Sequence, residues 1–157
     1  MTDAYDLNRF VEAQKGVYAG VVDELTRGRK TGHWIWYIFP QIAGLGASSM
    51  SRRYSISSIE EARAYSAHPV LGPRLAECVA LVLAVKNRSA EQIFGHLDAL
   101  KFRSCVTLFA AADPDNAIFQ KAIDRCFDGL RDPLTLQILK SDWQTRGQTL
   151  VTHHGFG

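Results

Sequence analysis

Apolar residues recur along this chain at spacings of three and four far more often than at two, the signature of helices with one buried face. Leu7, Phe10, Val11, Tyr18, Val21, Val22 and Leu25 make the first such stripe, with Asp6 placed to cap its start and Gly28 to stop it. Ser58, Ile59, Glu60 and Glu61 form a capping box, in which a hydroxyl and a carboxylate each satisfy a free backbone N–H, and predict a helix to about Ala67. Pro69 and Pro73 suit a first helical turn, where a missing N–H costs nothing, and Leu75, Cys78, Val79 and Val82 then carry a stripe to about Val85. A second box, Ser89 to Gln92, opens a short helix that Gly95 ends. Asp98 is placed to cap a longer helix bearing Leu100, Cys105, Leu108 and Phe109. Asp113-Pro114 and Asp132-Pro133 repeat one device, an Asp cap followed by Pro, and predict helices to about Phe127 and Leu139.

No stretch alternates with period two over a useful length. The expected fold is therefore all-α: a compact single-domain bundle of about six to seven helices over residues 1–140, followed by a polar tail, 141–157, expected to be partly disordered. The two Asp-Pro starts do not mark a repeat, because the apolar patterns behind them do not superimpose. Between the first two predicted helices, from Gly28 to Ser57, about thirty residues lack a helical stripe, and a loop that long in a compact domain is usually either functional or disordered. Its composition argues against disorder. Trp34, Trp36, Tyr37 and Phe39 fall within six positions, and each ring has roughly 150–250 Å² to bury. Two readings follow: an aromatic plug in the core, or rings left partly exposed as a binding surface.

With 157 residues the chain is one domain on the usual size prior, long enough to bury roughly two-thirds of its unfolded surface. Its apolar runs are too short for a membrane span, and its acidic N-terminus lacks the apolar region of a secretory signal, so a cytoplasmic location without membrane contact is expected. Cys78, Cys105 and Cys126 are odd in number and unpaired in spacing, which fits reduced core thiols better than a disulfide framework or a zinc site. A net charge of +2 makes nucleic acid an unlikely partner. The local balance changes the picture. From Leu25 to Ile59 there is no Asp or Glu, while Arg27, Arg29, Lys30, Arg52 and Arg53 are all present. Rings stack on a base, and guanidinium and ammonium groups take a phosphate.

Other chemistry is sparser. Asp98, Lys101 and Cys105 share a helix face, with Ser104 and Thr107 adjacent, so a carboxylate and an amine are candidates for catalysis; the plainer reading is an N-cap and an intrahelical ion pair. His33, His68 and His96 show no metal-ligand spacing, and no Walker loop, nucleophile elbow or dinucleotide fingerprint is present, so neither metal nor cofactor is expected.

Lys30 to Gln41 with Gly44-Leu45-Gly46, Tyr54-Ser55-Ile56, Glu61 to Tyr65, His68 to Leu75, Ile93-Phe94-Gly95, Asp98, Lys101, Ser104 and Thr107-Leu108-Phe109 together resemble the bacterial and fungal family called domain of unknown function 1810. The resemblance spans about residues 4–140 and implies a compact, entirely helical domain without an established activity. Ser66 departs from it, a leucine being more usual there. A more remote similarity is to helical glycosidases that act on ADP-ribose and riboflavin intermediates, with Glu61 and Lys101-Phe102 in the corresponding places. It implies that Glu61 or Asp98 would assist N-glycosidic cleavage, and that Lys101 would hold a phosphate or a Schiff base.

The expectation is a pocket protein, with or without a reaction of its own, that binds a small anionic, nucleotide-like molecule beside segment 30–54. Lys30, His33, Trp34, Trp36, Arg53, Tyr54 and Arg74 are its expected ligand-binding residues, and Asp98 and Lys101 its candidate catalytic pair. The alternative is a protein or peptide interaction module that uses the same aromatics as an exposed patch. Shape separates them: a concave pocket favours a ligand, a flat patch a partner.

Overall fold

The computed structural model describes residues 3–142, and within them it is entirely helical apart from one isolated bridge. The helices are α1 (Asn8–Gln14), α2 (Tyr18–Thr26), α3 (Ile35–Ile38), α4 (Ser49–Arg53), α5 (Ile59–Ala67), α6 (Leu71–Ala84), α7 (Ala90–Phe94), α8 (His96–Ala112), α9 (Ile118–Phe127) and α10, over residues 133–142. The all-α reading holds, but ten helices stand among the described residues where six or seven were expected. Of the polar tail, residues 143–157 lie outside the described residues.

Helix α8 is the centre. Cys105, Val106, Thr107, Leu108 and Phe109 are all buried, so its second half is covered on every side, while Leu97 and Leu100 of its first turns stay exposed, and α5, α7 and α9 pack around it. Helix α6 packs on α2, α5 and α9 through Leu75, Cys78, Val79 and Val82. Among the described residues no single helix is long and apolar enough to cross a membrane.

Local signals account for several helix ends. Ser89 and Gln92 form both arms of the second capping box, and Gly28 and Gly95, both with positive φ, follow α2 and α7. Asp132 Oδ2 accepts the Thr135 N–H at 3.1 Å, as an N-cap should. The first box is half formed: the Ser58 hydroxyl accepts the Glu61 N–H at 3.2 Å, but the Glu61 carboxylate turns to Ser57, whose N–H it accepts at 2.9 Å.

Four expectations are corrected. The stripe from Leu7 to Leu25 is two helices, because the chain turns at Lys15–Val17, and its cap is Asp3, whose carboxylate accepts the Leu7 and Asn8 N–H groups at 2.7 and 2.8 Å; Asp6 instead has φ 52°. The long loop is not a loop: it contains α3 and α4, and a parallel bridge ties Ile42 to Ile56. Asp98 lies in the first turn of α8 rather than at its cap, which is Gly95. Asp113-Pro114 belongs to a turn, and α9 starts later, where Asn116 Oδ1 accepts the Ile118 N–H at 3.2 Å.

Candidate functional site

Helix α3 sorts the aromatic segment. Its one turn sends Ile35 and Ile38 into the core with Trp34 and Phe39, and leaves Trp36 and Tyr37 half-buried. The chain then crosses to Ile56, where the Ala43 N–H donates to Ile56 O and the Ile56 N–H to Gln41 O, each at 2.8 Å. Between these strand-like contacts it doubles back through Gly44-Leu45-Gly46 and α4.

This excursion forms a cleft of about 260 Å³, lined by Trp36, Gln41, residues 42–46, Ser51, Arg52, Tyr54 and Ser55. No carboxylate lines it. Gly46 is required by close approach: a Cβ there would stand 2.5 Å from Ser51 Oγ and 2.8 Å from Ser51 Cβ. Tyr54 is buried against Phe10 and Tyr37, ring centroids 5.7 and 5.4 Å away, with the Arg53 guanidinium 5.6 Å above its ring. Arg9 holds the wall from behind. Its Nε donates to Arg53 O at 2.9 Å, and its Nη2 to Ser55 O at 2.8 Å and to Glu61 Oε2 at 2.9 Å. Glu61 is buried, and its other oxygen accepts the Ser57 hydroxyl at 2.7 Å. The arginine and the carboxylate therefore fix both ends of the 53–57 turn.

The remaining expected residues fall into other groups. Lys30, Trp34, Asp98 and Lys101 meet at the start of α8: Lys30 Nζ is 2.6 Å from Asp98 Oδ2 and 5.0 Å over the Trp34 ring, and Lys101 Nζ is 3.4 Å from Asp98 Oδ1. The Lys30 side chain is only 7% exposed. His33 is exposed on the turn before α3. Arg74 lies at a third place, its Nη1 donating to Gln14 Oε1 at 3.1 Å and its guanidinium 4.6 Å over the Tyr18 ring. Trp36 and Tyr54 alone of the expected ligand-binding set line the cleft. Arg52, named in the sequence only as part of the local basic excess, lines it too, as do Gln41, Ser51 and Ser55, which were not singled out, although the paired glycines pointed at the right segment.

Ser104 and Thr107 turn from the candidate pair toward α10: the Ser104 hydroxyl donates to Asp132 Oδ2 at 3.1 Å, and Thr107 Oγ1 accepts the Asp132 N–H at 2.9 Å. Glu61 and Lys101 sit in separate networks, one built on Arg9 and Ser57, the other on Asp98. Burial pushes the Cys78 thiol up to about 12 and raises those of Cys105 and Cys126, so none is poised as a thiolate at neutral pH. Among the described residues no group of three or more His, Cys, Asp or Glu is arranged to hold a metal ion.

Residues 4–139 match the model of a family described as a protein of unknown function, DUF1810. The chain belongs to this family. It is also similar to the crystal structure of the conserved hypothetical protein Rv1873 from Mycobacterium tuberculosis, with 51% identity and a TM-score of 0.87 over 88% of this chain and 99% of that one. A search of curated proteins finds no match.

Proposed function

We propose that this DUF1810 protein binds a small anionic molecule with a flat ring, of mononucleotide size or less, in the cleft beside α3 and α4. The observation that carries the reading is the lining itself: a half-exposed indole, a guanidinium, two hydroxyls and an amide converge on one concavity from which carboxylates are absent. In this reading Trp36 stacks on the ring, Arg52 takes the anion, and Gln41, Ser51 and Ser55 supply directional hydrogen bonds. A cleft of about 260 Å³ lies just below the roughly 300–1,000 Å³ range of small-molecule sites, which favours a ligand of mononucleotide size or less over a dinucleotide. Asp98 and Lys101 enter as a supporting ion cluster rather than as reacting groups, since both carboxylate oxygens of Asp98 already face ammonium groups. The interaction-module reading has less support, because Trp34 and Phe39 are buried and the half-exposed Trp36 borders a concavity.

Titration with AMP, adenosine and inorganic phosphate, read by indole fluorescence and by thermal shift, tests this. AMP is expected to bind and to raise the melting temperature by mass action. Trp36→Ala and Arg52→Ala are each expected to weaken it about tenfold or more, since a base–aromatic stack is worth about 1–3 kcal/mol and a charged hydrogen bond about 1.5–3 kcal/mol. No response to any phosphate-bearing ligand, or binding by both variants as tight as that of the parent protein, would remove the idea.

A further inference from the structure

A second cavity, of about 390 Å³, adjoins the cleft and shares two of its residues, Gly44 and Leu45. Its other walls, Leu134, Gln137, Ile138 and Ser141, come from α10, and none of its side chains is charged. The first cleft offers a guanidinium and hydroxyls; the second offers Leu45, Ile138 and Leu134, the last 60% exposed. Gly44 carries no side chain between them: a Cβ there would stand in ordinary van der Waals contact with Ile138 Cδ1, at 3.5 Å, and φ of +104° disfavours any residue that carries one.

Building on the cleft reading above, we infer that the ligand is amphipathic, an anionic ring-bearing head in the first cleft joined to a short alkyl or acyl chain that passes Gly44 and lies along Leu45, Leu134 and Ile138. Contiguity selects this occupant. A groove without charged side chains that shares Gly44 and Leu45 with the charge-bearing cleft lies next to a chain leaving that cleft on the Gly44 side, and burying the chain there removes the exposed Leu134 side chain from water. The whole site is then one compartment that carries the guanidinium and hydroxyls and a second that carries no charged side chain.

The methyl, butyl and octyl esters of AMP test this, because head and charge stay constant along the series while the chain grows. A buried methylene is worth about 0.8 kcal/mol, roughly fourfold in affinity. In a half-open groove the butyl ester is expected to bind about tenfold more tightly than the methyl ester, with the octyl ester tighter again. Leu134→Asn and Ile138→Asn should flatten the series and leave the affinity for AMP itself unchanged; Leu134 is exposed enough for the first to fold normally. Esters of equal affinity, the result expected if another part of the chain or a partner already fills the groove, overturn the inference while AMP binding stands. A gain with chain length that persists in both variants overturns it as well. Failure of AMP to bind removes the cleft reading and this inference with it.

Discussion

One carboxylate shapes the turn that carries the aromatic segment. Glu24 Oε1 accepts the Thr31 N–H at 2.6 Å, the Gly32 N–H at 2.8 Å and the Trp34 indole N–H at 3.0 Å, so a single oxygen on α2 gathers three donors from residues 31–34. Burial opposes the charge on this group, but the hydrogen bonds from Gly32, Thr31 and Trp34 outweigh it and hold the carboxyl below its ordinary value of 4.5. Lowering in the folded state means that folding favours the anion. The stabilisation is therefore complete above about pH 4.5 and is lost as pH falls through the folded value. Glu24→Gln keeps one acceptor and removes the charge. Urea unfolding should show the variant about 1 kcal/mol less stable than the parent at pH 7, with the gap closing as pH falls below about 4.5. A gap that stays constant as the solution is acidified would show that the charge of Glu24 contributes nothing.

Between elements, the corresponding joint is Lys30 with Asp98, which ties the turn after α2 to the first turn of α8. The pair spans a long stretch of sequence, and nothing in either segment announces the other. Lys30 is nearly buried, so Asp98→Asn leaves an ammonium with its hydrogen bond to Gly32 O and without its counter-ion. Breaking a buried pair from one side costs about 3–5 kcal/mol, and the lower figure suits a site where Asp98 itself is 21% exposed. Urea unfolding should show a loss of about 3 kcal/mol, with AMP affinity at the cleft unchanged; a stable variant that no longer binds would place Asp98 at the ligand instead. This scale also separates what the sequence discloses from what it hides. Caps at Ser58, Ser89 and Asp132 and stops at Gly28 and Gly95 are read correctly because the groups that satisfy each other lie within a turn. Helices α3 and α4 span four and five residues, too short for a period to register, and the Ile42–Ile56 pairing beside them joins residues fourteen apart that carry no local signal of each other. The break at Lys15–Val17 is masked because the apolar stripe continues on both sides of it. At the cleft, clustered rings disclose Trp36, and the basic pair beside it discloses Tyr54, but neighbouring residues on a helix point about 100° apart, so Arg52 and Arg53 cannot be told apart without the register of α4.

Across the whole molecule, the wall of the second cavity depends on how α10 is held to the core. Asp132 is the fastening: its Oδ2 accepts from the Thr135 N–H, the Thr135 hydroxyl and the Ser104 hydroxyl, while its own N–H donates to Thr107 on α8. Arg103 adds two bonds, to Leu130 O at 2.8 Å and Arg131 O at 3.0 Å, so α8 grips the approach to α10 as well as its first turn. Beyond that point α10 presents Leu134, Gln137, Ile138 and Ser141 to Gly44 and Leu45. The cap and the docking are thus one feature, and releasing it should loosen the helix without unfolding the bundle built on α8. Asp132→Ala removes an N-cap worth about 1 kcal/mol and leaves the Ser104 and Thr135 hydroxyls without that acceptor, for a total loss of about 2–3 kcal/mol. Hydrogen exchange locates that loss. Amides of residues 135–140 should exchange at least tenfold faster in the variant, while those of α5, α6 and α8 keep their protection to within the change in global stability. AMP should bind the variant as before, since no residue of α10 lines the first cleft, and the butyl ester should lose its advantage over the methyl ester. Uniformly faster exchange throughout the chain would instead make Asp132 part of the common core, with α10 no more separable from α8 than α9 is.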